Sequence, residues 1–168
     1  MAGLIAFVCV FCLDQVCKWL AVANLAPGRP LSVVPGFFNL TLVYNRGGAF
    51  GLFPGKAGVF IVLSLVIIGV LLVCYRRIFA RGRMFQVCAG LILGGAVGNL
   101  LDRFHHAHVI DFLDFYLGKR HWPAFNIADS AICVGVGLLI VLSMAGKDRV
   151  RRPQSAPGAP AGEGNGNG

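Results

Sequence analysis

With 168 residues the chain has room for one domain, and 57% of those residues are hydrophobic while 13% are charged. An average soluble chain is about 45–50% apolar and about 25% charged, so the composition argues against a disordered chain, a secreted disulfide scaffold or an ordinary nucleic-acid-binding domain. A mean hydropathy of +0.74 fits several bilayer spans, and the net charge of +8 has to be read from where the basic residues sit.

Crossing the hydrocarbon core takes about 20 helical residues. Four apolar stretches, Ala2–Ala23, Ala57–Tyr75, Phe85–Leu101 and Ile127–Ala145, are predicted to do so. In lipid the backbone must bond to itself, so even the Val- and Ile-rich stretches are read as helices. A cleaved signal peptide is the alternative for the first stretch. Its length, the lack of a preceding basic residue, and Asp14, Gln15 and Lys18 within it argue for a retained helix. In the loop that follows, Phe37 to Tyr44 partly alternates between Pro35-Gly36 and Asn45-Arg46-Gly47-Gly48. That pattern predicts a short sheet or hairpin resting on the membrane surface.

Arg76, Arg77, Arg81 and Arg83 lie between the second and third stretches, and Lys147, Arg149, Arg151 and Arg152 follow the fourth. The positive-inside rule then places both termini in the cytoplasm and the loops after the first and third stretches outside. The basic residues are thus largely topological, and no basic face interleaved with aromatics offers a nucleic-acid site. The second outer loop, 102–125, is aromatic-rich and carries Trp122-Pro123 as an interfacial anchor. The Pro-, Gly- and Asn-rich end is predicted to be disordered, giving a membrane domain over 1–150 and a cytoplasmic tail over 151–168. All six cysteines fall inside the apolar stretches and read as small apolar fillers. The expected fold is an all-α membrane protein of four transmembrane helices with a small extracytoplasmic sheet.

Ionisable residues inside spans are each a functional-site hypothesis, since insertion costs about 2.5–3.5 kcal/mol apiece. Asp14 and Lys18 stand four apart, acid first, the favourable order for a pair on one helix face. A structural pair and a direct role at substrate are both open. Gly90, Gly94 and Gly98 form a small-residue stripe that lets another helix approach. Asn99, Asp102 and Arg103 then share one face at the outer end of the third span, where Asp102 and Arg103 either cap the helix or serve a site. Asn126 and Asp129 lie three apart at the outer end of the fourth span. N-capping accounts for Asn126 but less well for Asp129.

Asp111 sits between apolar neighbours in Val109-Ile110-Asp111-Phe112, and the topology returns this loop to the mouth of the third and fourth spans. Asp111 and Asp129 can therefore meet there, while Asp114 is read as solvated. Two carboxylates in one desolvated site titrate as a pair, one keeping a proton. Such a pair can attack an amide with water, one carboxylate taking the water proton and the other polarising the carbonyl, with no metal or covalent intermediate. Weaker constellations are a metal site at His105, His106, His108 and His121, and Ser130 as a nucleophile.

The ordered set Asp14-x-x-x-Lys18, Asn45-Arg46-Gly47-Gly48-Ala49-Phe50, Gly94 to Arg103, Val109-Ile110-Asp111-Phe112 and Phe125-Asn126-Ile127-Ala128-Asp129-Ser130 resembles bacterial lipoprotein signal peptidase, or signal peptidase II. The resemblance implies an intramembrane aspartic endopeptidase of the bacterial inner membrane that needs no cofactor, with its site near the periplasmic face. Its substrate would be a prolipoprotein carrying a diacylglyceryl group on the lipobox cysteine, cut just before that cysteine. By the same matching Asp111 and Asp129 are the catalytic dyad. Asn45, Asn99, Arg103 and Asn126 hold the peptide or orient the dyad, Asp14, Lys18 and Asp102 support them, and the cyclic peptide globomycin is an expected inhibitor. The readings from other classes are a small four-span transporter using Asp14 or Asp129 for proton coupling, and a non-catalytic assembly protein.

Overall fold

The computed structural model describes residues 1–47 and 57–151. Gly48, Ala49 and Phe50 of the Asn45 motif, and the expected tail from Arg152 onward, lie outside them. In chain order the elements are α1 (Ala2–Asn24), β1 (Leu31–Val34), β2 (Phe38–Asn45), α2 (Ala57–Val73), α3 (Tyr75–Ala80), α4 (Arg83–His106), β3 (Val109–Leu117), β4 (Arg120–His121) and α5 (Ile127–Arg151).

Among the described residues three helical segments are long and apolar enough to cross a bilayer: Ala2–Asn24, Arg83–His106 and Ile127–Ala145. The stretch expected to run to Tyr75 ends instead at Val73 as a 17-residue helix, and the six-residue α3 follows Cys74. The third stretch is longer than expected and carries Asn99, Asp102 and Arg103 well inside α4. Many large apolar residues of α1, α2 and α5 are exposed, as suits helices solvated by acyl chains.

Glycines set how the helices meet around the buried α4. A Cβ on Gly90 would lie 2.2 Å from the Gly3 carbonyl oxygen, and one on Gly98 would lie 2.8 Å from Asp14 Oδ2. One face of α4 therefore packs backbone to backbone against α1, with the two helices parallel. The other face meets α5, where a Cβ on Gly95 would lie 2.4 Å from the Ala128 carbonyl oxygen. Because small residues bring α1 and α5 so close to α4, polar groups near its C-terminal end can span the gaps directly.

The expected hairpin forms as β1 and β2, but the sheet is larger. Its antiparallel order is β1-β2-β3-β4, so the segment between α4 and α5, read from sequence only as aromatic-rich, supplies two strands. Asn39 pairs opposite Asp114, Val43 opposite Asp111 and Asn45 opposite Val109, with a bulge in β2 between Leu40 and Val43. A two-residue turn with Gly118 at φ 61° joins β3 to β4, a left-handed conformation natural to glycine. At the other end of β3, Ala107 caps α4 at φ 57° and donates its N–H to the Arg103 carbonyl. This cap turns the chain into β3 within two residues.

Candidate active site

Asp111 is a β3 residue, buried to 1% exposure. Successive side chains of a strand point to opposite faces, so Asp111 and Asp114, three apart, cannot serve the same site. Asp114 is buried as well, which corrects its reading as a solvated residue. Asn39 Nδ2 donates to its Oδ2 at 3.1 Å, and His121 Nδ1 lies 2.8 Å from its Oδ1. These contacts tie β2, β3 and β4 together and keep Asp114 away from the cavity.

Two asparagines hold Asp111. Asn45, diagonal to it across the β2–β3 pair, donates its Nδ2 to Oδ2 at 2.9 Å, and Asn126 donates its Nδ2 to Oδ1 at 2.7 Å. Asn126 also caps α5, its Oδ1 accepting the Asp129 N–H at 2.9 Å. A single carboxamide thus fixes the strand carboxylate against the helix that carries Asp129. Asn99 of α4 donates its Nδ2 to Asp129 Oδ1 at 2.7 Å. Burial first, and the nearby Asp129 charge second, push the Asp111 carboxyl up to about 7.

Behind the pair stands a buried ion cluster. Lys18 Nζ reaches Asp14 Oδ2 at 2.7 Å, Asp102 Oδ2 at 2.8 Å and Asn99 Oδ1 at 2.9 Å. Those three contacts use all the protons of the ammonium. Asp14 Oδ1 accepts the Ala128 N–H of α5 at 2.8 Å, and Asp102 Oδ2 accepts the Ile110 N–H of β3 at 3.3 Å. The Asp14–Lys18 pair therefore belongs to the scaffold behind the site. On their shared stretch of α4, Asn99, Asp102 and Arg103 divide between two environments: Asp102 turns to α1, Arg103 lines the cavity, and Asn99 reaches both.

Asp111, Asp129, Asn45, Asn99 and Arg103 all line one cavity of about 460 Å³, walled on its apolar side by Phe60, Leu63 and Ile67 of α2 and Ile132 of α5. Arg103 donates Nη1 to the Asn99 carbonyl at 3.1 Å and Nη2 to the Gly47 carbonyl at 3.3 Å, with its guanidinium 5.4 Å from the centre of the Phe60 ring. Its Nε is buried and, among the described residues, has no partner. It is a donor available to a bound carbonyl. Ser130 Oγ donates to the Asn126 carbonyl at 2.9 Å, which occupies the hydroxyl proposed as an alternative nucleophile. Among the described residues no group of three His, Cys, Asp or Glu side chains is placed to hold a metal.

A sequence model of the family described as signal peptidase (SPase) II matches residues 6–145. The chain belongs to the signal peptidase II family. A lipoprotein signal peptidase of Burkholderia mallei is 45% identical over 151 residues, covering 88% of this chain and 86% of that relative. One from Bacillus pumilus is 42% identical over 138 residues, covering 82% and 88%. A bacterial membrane enzyme solved at 2.3 Å superposes with a TM-score of 0.82 at 29% identity, covering 92% of this chain and 94% of that one. Like these relatives the chain is a peptidase, and its apolar helices mark it as a membrane protein.

One participant was missed by sequence reasoning. Gln15 appeared only as a polar residue unsuited to a signal peptide, yet its carboxamide reaches both Asp14 and Asp102. Its position three residues before Lys18, on the same side of α1, was the available signal.

Proposed function

We propose that this chain is an intramembrane aspartic endopeptidase that removes the signal peptide from diacylglyceryl-modified prolipoproteins, cutting just before the lipidated cysteine. The observation that carries the reading is that Asp111 and Asp129, 18 residues apart in sequence and on different elements, line one cavity, Asp111 held by Asn45 and Asn126 and Asp129 by Asn99. Below about pH 7 Asp111 holds the shared proton, because burial and the neighbouring Asp129 charge push its carboxyl up to about 7, and Asp129 is the base. Water between them loses a proton to Asp129 and attacks the scissile carbonyl, whose oxygen takes a hydrogen bond from Asp111. The proton taken up by Asp129 then passes to the leaving amine as the C–N bond breaks. Arg103 Nε supplies a donor for the peptide backbone, and the apolar wall formed by α2 and α5 takes its side chains.

The site lies at the end of α4 opposite the arginine-bearing segment around α3. With that segment cytoplasmic by the positive-inside rule, four spans, with α2 as the second, put both termini in the cytoplasm of the inner membrane and the dyad near the periplasmic face. A lipid-anchored precursor offers its scissile bond at that depth, and a globomycin-type cyclic peptide would compete for the same cavity. The test is cleavage of a lipidated precursor by the purified protein, read as a mobility shift. Asp111→Asn and Asp129→Asn should each reduce turnover by at least about a thousandfold. Substantial cleavage by either variant would remove the dyad, and substrate flux without scission would favour a carrier.

A further inference from the structure

We infer that Gln15 is a positioning residue for this reaction, its carboxamide joining the carboxylate that holds the Asp129 helix to the carboxylate that holds the Asp111 strand. The inference rests on the dyad reading above. Asp14 grips the amide of Ala128, next to Asp129, and Asp102 grips the amide of Ile110, next to Asp111. These are the two arms of one clamp, and its hinge is the place where Asp14 and Asp102 meet on the α1–α4 contact.

Two carboxylates share one ammonium there, so the cluster of Asp14, Asp102 and Lys18 carries a net negative charge when all three are ionised. With its three protons committed, Lys18 has nothing left for Asp102 Oδ1. Gln15 Nε2 fills that need, lying 3.2 Å from Asp102 Oδ1, 3.2 Å from Asp14 Oδ2 and 3.4 Å from the Gly98 carbonyl oxygen. The opposite amide orientation would set its oxygen against two carboxylates, so the donor orientation is fixed by charge. Among the described residues no other donor reaches Asp102 Oδ1. Without this amide the carboxylates either separate or turn, and each movement is passed through one hydrogen bond to an amide beside the dyad. Gln15 itself does not line the cavity. Its loss should therefore show in turnover and leave substrate binding nearly unchanged.

The experiment uses the full chain in detergent with a lipidated precursor. Gln15→Met keeps the length and removes the donor, and Gln15→Glu adds a third carboxylate. Expected are a fall in kcat of about tenfold for Met and about a hundredfold for Glu, with KM within about twofold. Combining Gln15→Glu with Asp102→Asn exchanges carboxylate and carboxamide across the hinge, and should turn over faster than either single variant. Values of kcat within twofold of the parent for both single variants, a rise in KM in place of the fall in kcat, or an exchange no better than its parts would overturn the inference. So would failure of Gln15→Met to fold, which would make the residue a stability element. If Asp111→Asn and Asp129→Asn remain inactive while the Gln15 variants are normal, this inference alone falls. If those aspartate variants are active, the dyad reading falls with it.

Discussion

Removing the Lys18 ammonium is the sharpest test of the ion cluster. In Lys18→Met the stem stays and the charge goes, leaving Asp14 and Asp102, with side chains 0% and 4% exposed, without a cation. Breaking a buried pair by deleting one partner costs about 3–5 kcal/mol, because the surviving charge is uncompensated. Here two carboxylates survive, with Gln15 as their one shared side-chain donor, so the upper half of that range is expected. That is a large part of the stability of a typical domain, about 5–15 kcal/mol. The assay is denaturant unfolding of the detergent-solubilised protein, comparing the parent, Lys18→Met, and the triple variant Lys18→Met, Asp14→Asn, Asp102→Asn. Neutralising the whole cluster keeps acceptors for the Ala128 and Ile110 amides and removes the stranded charges, so the triple variant should regain all but about 1–2 kcal/mol. A Lys18→Met protein within about 1 kcal/mol of the parent, or a triple variant no more stable than the single one, would refute the assignment of Lys18 as the cluster's neutralising charge.

Further outcomes follow from other contacts. Since Asp111 is pushed up to about 7, it is neutral below that pH, and kcat/KM should fall about tenfold per unit above it as the shared proton is lost. Asn45 favours the charged form of Asp111, so Asn45→Ala should move this alkaline limb to higher pH; an unmoved limb would separate Asn45 from the titration. The same shift makes the contribution of Asp111 to stability full below its ordinary value of 3.8 and progressively lost as pH rises toward 7, which pH-dependent melting reads out. Gly90→Ala drives a methyl against the Gly3 carbonyl and should cost about 1–3 kcal/mol. Gly58→Ala, with nothing among the described residues within 4 Å of the new methyl, should be neutral or stabilising by up to about 1 kcal/mol. Melting temperatures of the two variants decide between these expectations.

The parts of the fold that lipid imposes were legible in the sequence, because apolar length and the glycine stripe are local signals. The break at Cys74 was not, since no glycine or proline marks it and an all-apolar helix has no polar face to show where its period stops. Strand β3 was obscured by its two aspartates, whose spacing of three places them on opposite faces and interrupts the alternation expected of a half-buried strand. Asp114 was misread because its partners, Asn39 and His121, come from other strands. Asp111 and Asp129 could be singled out since each carries a charge into apolar surroundings. The cap that Asn126 gives α5 is a local contact and was legible, whereas the bonds from Asn45 and Asn126 to Asp111 and from Asn99 to Asp129 are long-range contacts that no local pattern contains.

Infrared difference spectra of the purified protein, recorded across about pH 5 to 9, read the proton of the Asp111–Asp129 pair directly. A protonated-carboxyl C=O band should vanish with a midpoint near 7 and be missing from Asp111→Asn. Asp129→Asn should move that midpoint downward, because the neighbouring charge that helps raise it is gone. No carboxyl band titrating near neutrality, or one that persists unchanged in both variants, would contradict a shared proton and the hydrolysis built on it.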